Sequence, residues 1–249
     1  MHFERIADKL SLNFIVSEIG NSAAPGSLVL DVGCGNGSIA KSVASNGFRV
    51  EAIDVSEKTI QAARELNPHD NINYKVVAAG ELPIQANRFS AIICSEVLEH
   101  LHRPGELLKI LHASLKDDGV LIVTVPNGRG PRELFVTKPV QYLQRKNNPL
   151  STLFFKVKKW MGYTGTTIQS SADDLSHIQF FTVKSLRKLA LENGFQIVRF
   201  GKSNFVEQVF PFSLAARRSA FLQKLDCSVA THLPLSFTSG FMMVWKKQA

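Results

Sequence analysis

Val29-Leu30-Asp31-Val32-Gly33-Cys34-Gly35-Asn36-Gly37 is the stretch that decides the fold of this 249-residue chain. An apolar run from Leu28 to Leu30 ends in an acid, glycines follow at alternate positions, and a helix-like segment starts at Ser38. That is a strand running into a tight loop that opens on a helix. Glycines there permit dihedrals closed to other residues and let the backbone approach a ligand closely. Amide groups at the helix start offer a partial positive charge to an anionic ligand group. The spacing, Asp-x-Gly-x-Gly-x-Gly, differs from the Gly-x-Gly-x-x-Gly of nicotinamide and flavin binders.

Working outward, strands and helices alternate. Strands are expected over 28–32, 49–53, 73–77, 89–94, 119–125, 195–200 and 240–246. Helices are expected over 3–20, 38–46, 57–66, 104–115 and 183–193. Alternation of this kind predicts an α/β fold, a doubly wound and mostly parallel sheet with helices on both faces. The length suits a single domain over 1–249, with an insertion at 129–176 after the fifth strand. The second strand, Arg49-Val50-Glu51-Ala52-Ile53-Asp54, also ends in an acid. A carboxylate there suits the hydroxyls of a ribose.

The strand Phe89-Ser90-Ala91-Ile92-Ile93-Cys94 leads into Ser95-Glu96-Val97-Leu98-Glu99-His100-Leu101. Taken together, the glycine loop, Asp54 and this segment resemble the class I S-adenosylmethionine (SAM) dependent methyltransferases. The likeness is to the branch with the ubiquinone-biosynthesis O-methyltransferases and many small-molecule methyltransferases. It is strong over 25–128 and moderate over 175–203. The resemblance implies a Rossmann-like seven-stranded sheet whose last strand is antiparallel. It also implies that Asp31, Gly33, Gly35 and Gly37 surround the methionine part of SAM, with Asp54 on the ribose and Val55 beside the adenine. Many relatives carry an acid before the Leu-Pro motif, where Val77-Ala78-Ala79-Gly80-Glu81-Leu82-Pro83 has Ala78. The adenine would then meet backbone near Ala79 and Gly80, or Glu81 in a shifted register.

Glu96, Glu99 and His100 are the second concentration of chemistry. If 96–101 form a helical turn, positions i, i+3 and i+4 share one face. Two carboxylates and an imidazole then converge, a set that suits magnesium or manganese better than zinc. The resemblance adds His177 as a fourth candidate, since small-RNA 2′-O-methyltransferases use Glu-x-x-Glu-His plus a later histidine. A metal there would lower the pKa of an acceptor hydroxyl. In the metal-free alternative Glu96 contacts the SAM amino group and Glu99 and His100 position the loop; a further reading makes His100 or His177 a direct base, with Glu99 kept among the catalytic candidates.

The net charge of +8 is unevenly spread. From Arg129 to Trp160 there are eight basic residues against Glu133 alone, seven of the eight net positive charges. Within this segment Leu150, Leu153, Phe154, Val157, Trp160 and Met161 fall at helical spacing, with Lys156, Lys158 and Lys159 between them. The pattern predicts a basic amphipathic helix over 149–161. Three readings stay open: a lid over a small-molecule pocket, a contact with an anionic membrane surface, and a clasp for nucleic-acid phosphates. The third is disfavoured, because the aromatics lie with the apolar face. No signal-peptide pattern stands at the N-terminus and Cys34, Cys94 and Cys227 are widely spaced, so the expectation is a cytoplasmic protein with free thiols, membrane-peripheral in the second reading. Cys34 is read as a small filler of the glycine loop.

The expected activity is methyl transfer from SAM to a hydroxyl of a small or lipid-linked acceptor. Two alternatives are a metal-dependent RNA 2′-O-methyltransferase and a non-catalytic SAM-binding partner or regulator.

Overall fold

The computed structural model describes residues 5–78, 81, 86–139, 178–207, 209, 212–216 and 218–248. The expected helix over 149–161, His177, Ala79 and Gly80 lie outside them.

A first helix, α1 (Ile6–Ser22), precedes β1 (Leu28–Val32), α2 (Ser38–Ser45), β2 (Arg49–Asp54), α3 (Glu57–Leu66), β3 (Ile72–Val76) and β4 (Phe89–Ser95). Then come α4 (Pro104–Ser114), β5 (Leu115–Pro126), α5 (Val183–Glu192), β6 (Phe195–Lys202), α6 (Phe212–Ala216), α7 (Ala220–His232) and β7 (Gly240–Lys247). The seven strands form one sheet in the order β3-β2-β1-β4-β5-β7-β6. All neighbours from β3 to β5 pair in parallel, and β7 runs antiparallel to both β5 and β6. The seven strands and the antiparallel last one are as expected.

Strand periodicity divides the core into two layers. Val29, Ala91, Ile93, Val120 and Ile122 face one side, with Ile15 and Ile19 of α1, Val43 of α2 and Ile60 of α3. Leu30, Ile92, Cys94, Leu121 and Val123 face the other, with Leu107, Leu108 and Leu111 of α4 and Leu186 of α5. Both faces are covered, so the inner strands read as continuous apolar runs. Local chemistry sets the helix starts. Ser56 Oγ accepts the Thr59 N–H at 3.2 Å, Thr182 and Ser185 form a reciprocal capping box, and Pro104 opens α4.

Two departures from the sequence expectation have local causes. Helix α4 stops at Ser114 and β5 begins at Leu115, ahead of 119, because Leu115 already pairs with Phe89 before the ladder shifts register. Residues 203–239, which carry no expected element, contain α6 and α7. Chain order reverses between β1 and β4, which opens a crevice at their carboxyl ends.

Candidate functional site

The crevice is built where β1 and β4 end side by side, with Val32 paired to Cys94. Gly33, Gly35 and Gly37 have φ of 69°, 53° and 79°, the left-handed region that favours glycine. Packing within the protein adds to that demand. A Cβ on Gly33 would lie 2.6 Å from Val97 Cγ2, and one on Gly37 would collide with the Tyr74 hydroxyl.

The loop's amides differ from the sequence expectation. Gly33 and Cys34 donate to Ile53 O, Gly35 to Asp54 Oδ2 at 3.1 Å, Gly37 to Cys34 O and Ser38 to Asn36 Oδ1. These five N–H groups are committed internally and do not face outward for an anion. What the crevice offers instead is negative charge. Asp54 is half-buried, and its other oxygen accepts the Ser56 N–H at 3.0 Å. It ties the loop to the end of β2 and keeps unused lone pairs on both oxygens. Asp31 is 1% exposed, and its Oδ2 has no hydrogen-bond partner. Burial, with the Asp54 carboxylate beside it, pushes its pKa up to about 7. A buried, unsatisfied carboxylate is costly unless a cation or donor completes it. Val55 is exposed at the same rim. Burial and the two aspartates push the Cys34 thiol well up, which suits a filler and not a nucleophile.

On the β4 side the expected helical turn over 96–101 does not form. Glu96 sits at φ 56°, an unusual conformation for a non-glycine residue, and only Leu98–His100 make a short 3-10 turn. Glu99 nonetheless lies beside both Glu96 and His100. Glu96 is exposed, and its Oε1 accepts a hydrogen bond from Thr124 Oγ1 at 2.9 Å. Glu99 is 1% exposed, neither of its oxygens has a hydrogen-bond partner, and Oε1 lies 3.8 Å from His100 Nε2. Burial, then the Glu96 carboxylate, drive its pKa well above the usual range, while Arg132 pulls the other way. Among the described residues no three His, Cys, Asp or Glu side chains are grouped to hold a metal ion. Glu96, Glu99 and His100 are thus not a ligand set by themselves.

A family model described as a methyltransferase domain matches residues 3–199. The chain belongs to this methyltransferase family. Over 140 residues it is 33% identical to the ubiquinone biosynthesis O-methyltransferase of Acinetobacter baylyi. That match covers 55% of this chain and 58% of the relative, so the chain spans little more than half the length of that relative. In fold it is similar to an S-adenosylmethionine dependent methyltransferase from Mesorhizobium loti. Their TM-score is 0.61 at 17% identity, over 97% of this chain and 98% of that one. The 1,6-didemethyltoxoflavin-N1-methyltransferase of Burkholderia thailandensis, solved with S-adenosylhomocysteine, superposes with a TM-score of 0.58 at 16% identity. That superposition covers 99% of this chain and 80% of that one.

Within this methyltransferase-family domain, sequence reasoning missed three residues at the same edge. Thr124, on the neighbouring strand β5, links Glu96 to Ser95, whose Oγ lies 2.8 Å from Thr124 Oγ1. Glu133 is fully buried in a π-helical turn, Glu133–Thr137, and its charge bears on Glu99 together with that of Arg132. The signal in the sequence was its isolation, the lone acid of a basic segment. Asn127 is also buried, and its Nδ2 donates to the carbonyls of Ser236 and Thr238, which fastens the chain before β7 to the end of β5. A cavity of about 340 Å³, lined by Arg64, Pro68, His69 and Tyr74, lies around the start of β3 and includes none of the crevice acids or His100 in its lining.

Proposed function

We propose that the chain transfers a methyl group from SAM to a hydroxyl of a small or lipid-linked acceptor. The observation that carries this reading is the buried, unsatisfied carboxylate of Asp31 beneath the glycine loop of a methyltransferase-family domain. The donor carries positive charge on its sulfonium and its amino group, and Asp54 and Glu96, with Asp31 buried behind them, make an acidic site suited to it. When bound, SAM supplies a methyl group already activated by its cationic sulfur. The protein's part is then to hold the acceptor oxygen in line with that methyl and to exclude water.

Asp54 fits the ribose hydroxyls with the lone pairs left over from Gly35 and Ser56. Glu96, braced by Thr124, fits the amino group. Glu99 is the residue suited to the proton. The acceptor's O–H bond breaks as the O–CH₃ bond forms, and the proton passes to a Glu99 oxygen, with His100 Nε2 3.8 Å away to carry it onward. No step of this proposal is routed through a metal; among the described residues no ligand set is grouped, and His177 lies outside them. The O-methyltransferase name of the Acinetobacter relative supports a hydroxyl acceptor.

Titration calorimetry of SAM with the purified chain tests the reading. Micromolar binding, followed by methylation of a phenolic or catecholic acceptor, is the expected result. Absence of SAM binding overturns it. Binding with no turnover across hydroxyl acceptors favours the non-catalytic SAM-binding alternative.

A further inference from the structure

Residues 203–239 leave the sheet and rejoin it at the edge that carries the glycine loop. Strand β6 ends at Lys202 beside Phe241, and β7 begins at Gly240 beside Pro126, the last residue of β5. Within this excursion α7 has a fixed inner face. Gln223 Oε1 accepts the Ile6 N–H of α1 at 3.0 Å, and its Nε2 donates to Ala216 O. Asp226 accepts the N–H groups of Phe205 and Val206, and Cys227 and Ala230 complete the buried side. At the far end, Lys202 Nζ donates to the carbonyls of Thr231 and Leu233.

The outer face is unusual. Phe221, Leu225 and Val229 recur at i, i+4 and i+8, so they lie in one row, and they are 72%, 49% and 41% exposed. Leu214 of α6 is a further exposed apolar side chain, at 38%. Scattered exposed apolar residues need no explanation, whereas apolar side chains aligned in one row along a helix offer a surface for a contact. Its charge is one-sided. Across residues 208–239 the cations are Arg217, Arg218 and Lys224, and the only carboxylate is Asp226. That carboxylate is buried and committed to two backbone amides, whereas Arg218 and Lys224 are exposed. The surface therefore combines an apolar row with cations and has no exposed acid of its own.

We propose that α7 is a membrane-docking helix, its Phe221–Leu225–Val229 row seated in an anionic phospholipid surface. Apolar side chains enter the headgroup boundary while Arg218 and Lys224 meet lipid phosphates, the arrangement by which amphipathic helices bind such surfaces. Polyanions without an apolar phase leave the row unsatisfied, so charge and apolarity together select lipid. Docking holds the carboxyl edge of the sheet near the bilayer. The inference does not rest on the methyl-transfer reading, since it needs neither SAM nor an acceptor.

Vesicle cosedimentation of the full chain tests it, with phosphatidylglycerol–phosphatidylcholine vesicles against pure phosphatidylcholine. The expected result is binding to the anionic vesicles that weakens with salt. The double variant F221S/L225S is expected to lower the partition coefficient about tenfold. R218Q/K224Q is expected to lower it about fivefold per charge removed. Unchanged melting temperatures in both variants would show that the fold is intact. No binding of the unmodified chain to anionic vesicles overturns the proposal, as does equal binding by F221S/L225S. Light scattering that shows a dimer lost in F221S/L225S also overturns it, assigning the face to a second copy of the chain.

Discussion

Two aspartates at the same sheet edge are buried to nearly the same degree and treated in opposite ways. Asp226, 4% exposed, has both oxygens occupied by the amides of Phe205 and Val206. Asp31, 1% exposed, keeps one oxygen without a partner, and burial beside Asp54 raises its pKa to about 7. The first carboxylate is completed by the protein; the second keeps an acceptor that no described residue fills. Burial alone does not separate a structural acid from a functional one, whereas the accounting of hydrogen bonds does.

The largest expected effect breaks the structural member of the pair. Asp226→Ala leaves two backbone amides without acceptors and is expected to cost roughly 3 kcal/mol in urea unfolding. SAM affinity of the folded fraction should stay within about twofold, because no contact of Asp226 reaches the glycine loop. A loss of affinity in proportion to stability would erase the distinction.

Asp31→Asn sharpens the comparison in the other direction. The unfolded-state pKa, 3.8, lies below the folded value of about 7. Between them the folded chain holds a proton that the unfolded chain has released. Stability from this group is therefore greatest at low pH and declines as pH rises towards 7. The substitution removes that decline, so the ligand-free variant should be more stable by roughly 2–4 kcal/mol at pH 8, with the gain vanishing near pH 4. The same variant should bind SAM at least about tenfold more weakly. Equal stability at both pH values would show that Asp31 is already satisfied.

Glu99→Gln tests whether its orphaned oxygens serve the acceptor or the cofactor. A fall in kcat of about tenfold to a hundredfold, with SAM affinity altered less than about threefold, is expected for a proton-accepting role. Parallel losses would move Glu99 to the donor side. The smallest effect is on pH alone: SAM affinity of the unmodified chain should rise a few-fold from pH 6 to 8, as Asp31 loses its proton to solvent and its carboxylate can pair with the cationic ligand. Asp54→Ala is a less clean probe than it looks from sequence. It also releases the Gly35 and Ser56 amides, so loop order and ribose contact would fail together.

The β1–loop–α2 unit and the acid closing β2 were legible because each rests on neighbours in the chain. Glycine at alternate positions, Ser56 ahead of α3 and apolar runs bounded by turns are all local signals. The segment from Glu96 to His100 misled for the same reason. Its spacing invites a helical turn, but Glu96 is held at φ 56° where its amide donates to Thr124 O and its carboxylate accepts from Thr124 Oγ1. Thr124 is 28 residues away, on the next strand. Glu133 was visible only as an oddity of charge, since its burial next to Glu99 follows from how the chain leaves β5. Helix α7 escaped notice because its apolar positions lie on both of its faces, one packed on α1 and one open, which blurs any single stripe.

The sequence by itself determined the strand-and-helix alternation, the glycine loop, the acids that end β1 and β2, and the placing of the chain among methyltransferases. These depend on backbone preference and short-range spacing, which a linear pattern carries in full. Only the tertiary structure decided which loop amides remain for a ligand, which carboxylates lack a partner, and which face of α7 stays open. Hydrogen-bond satisfaction and burial are set by residues far apart in the chain, so no local pattern records them.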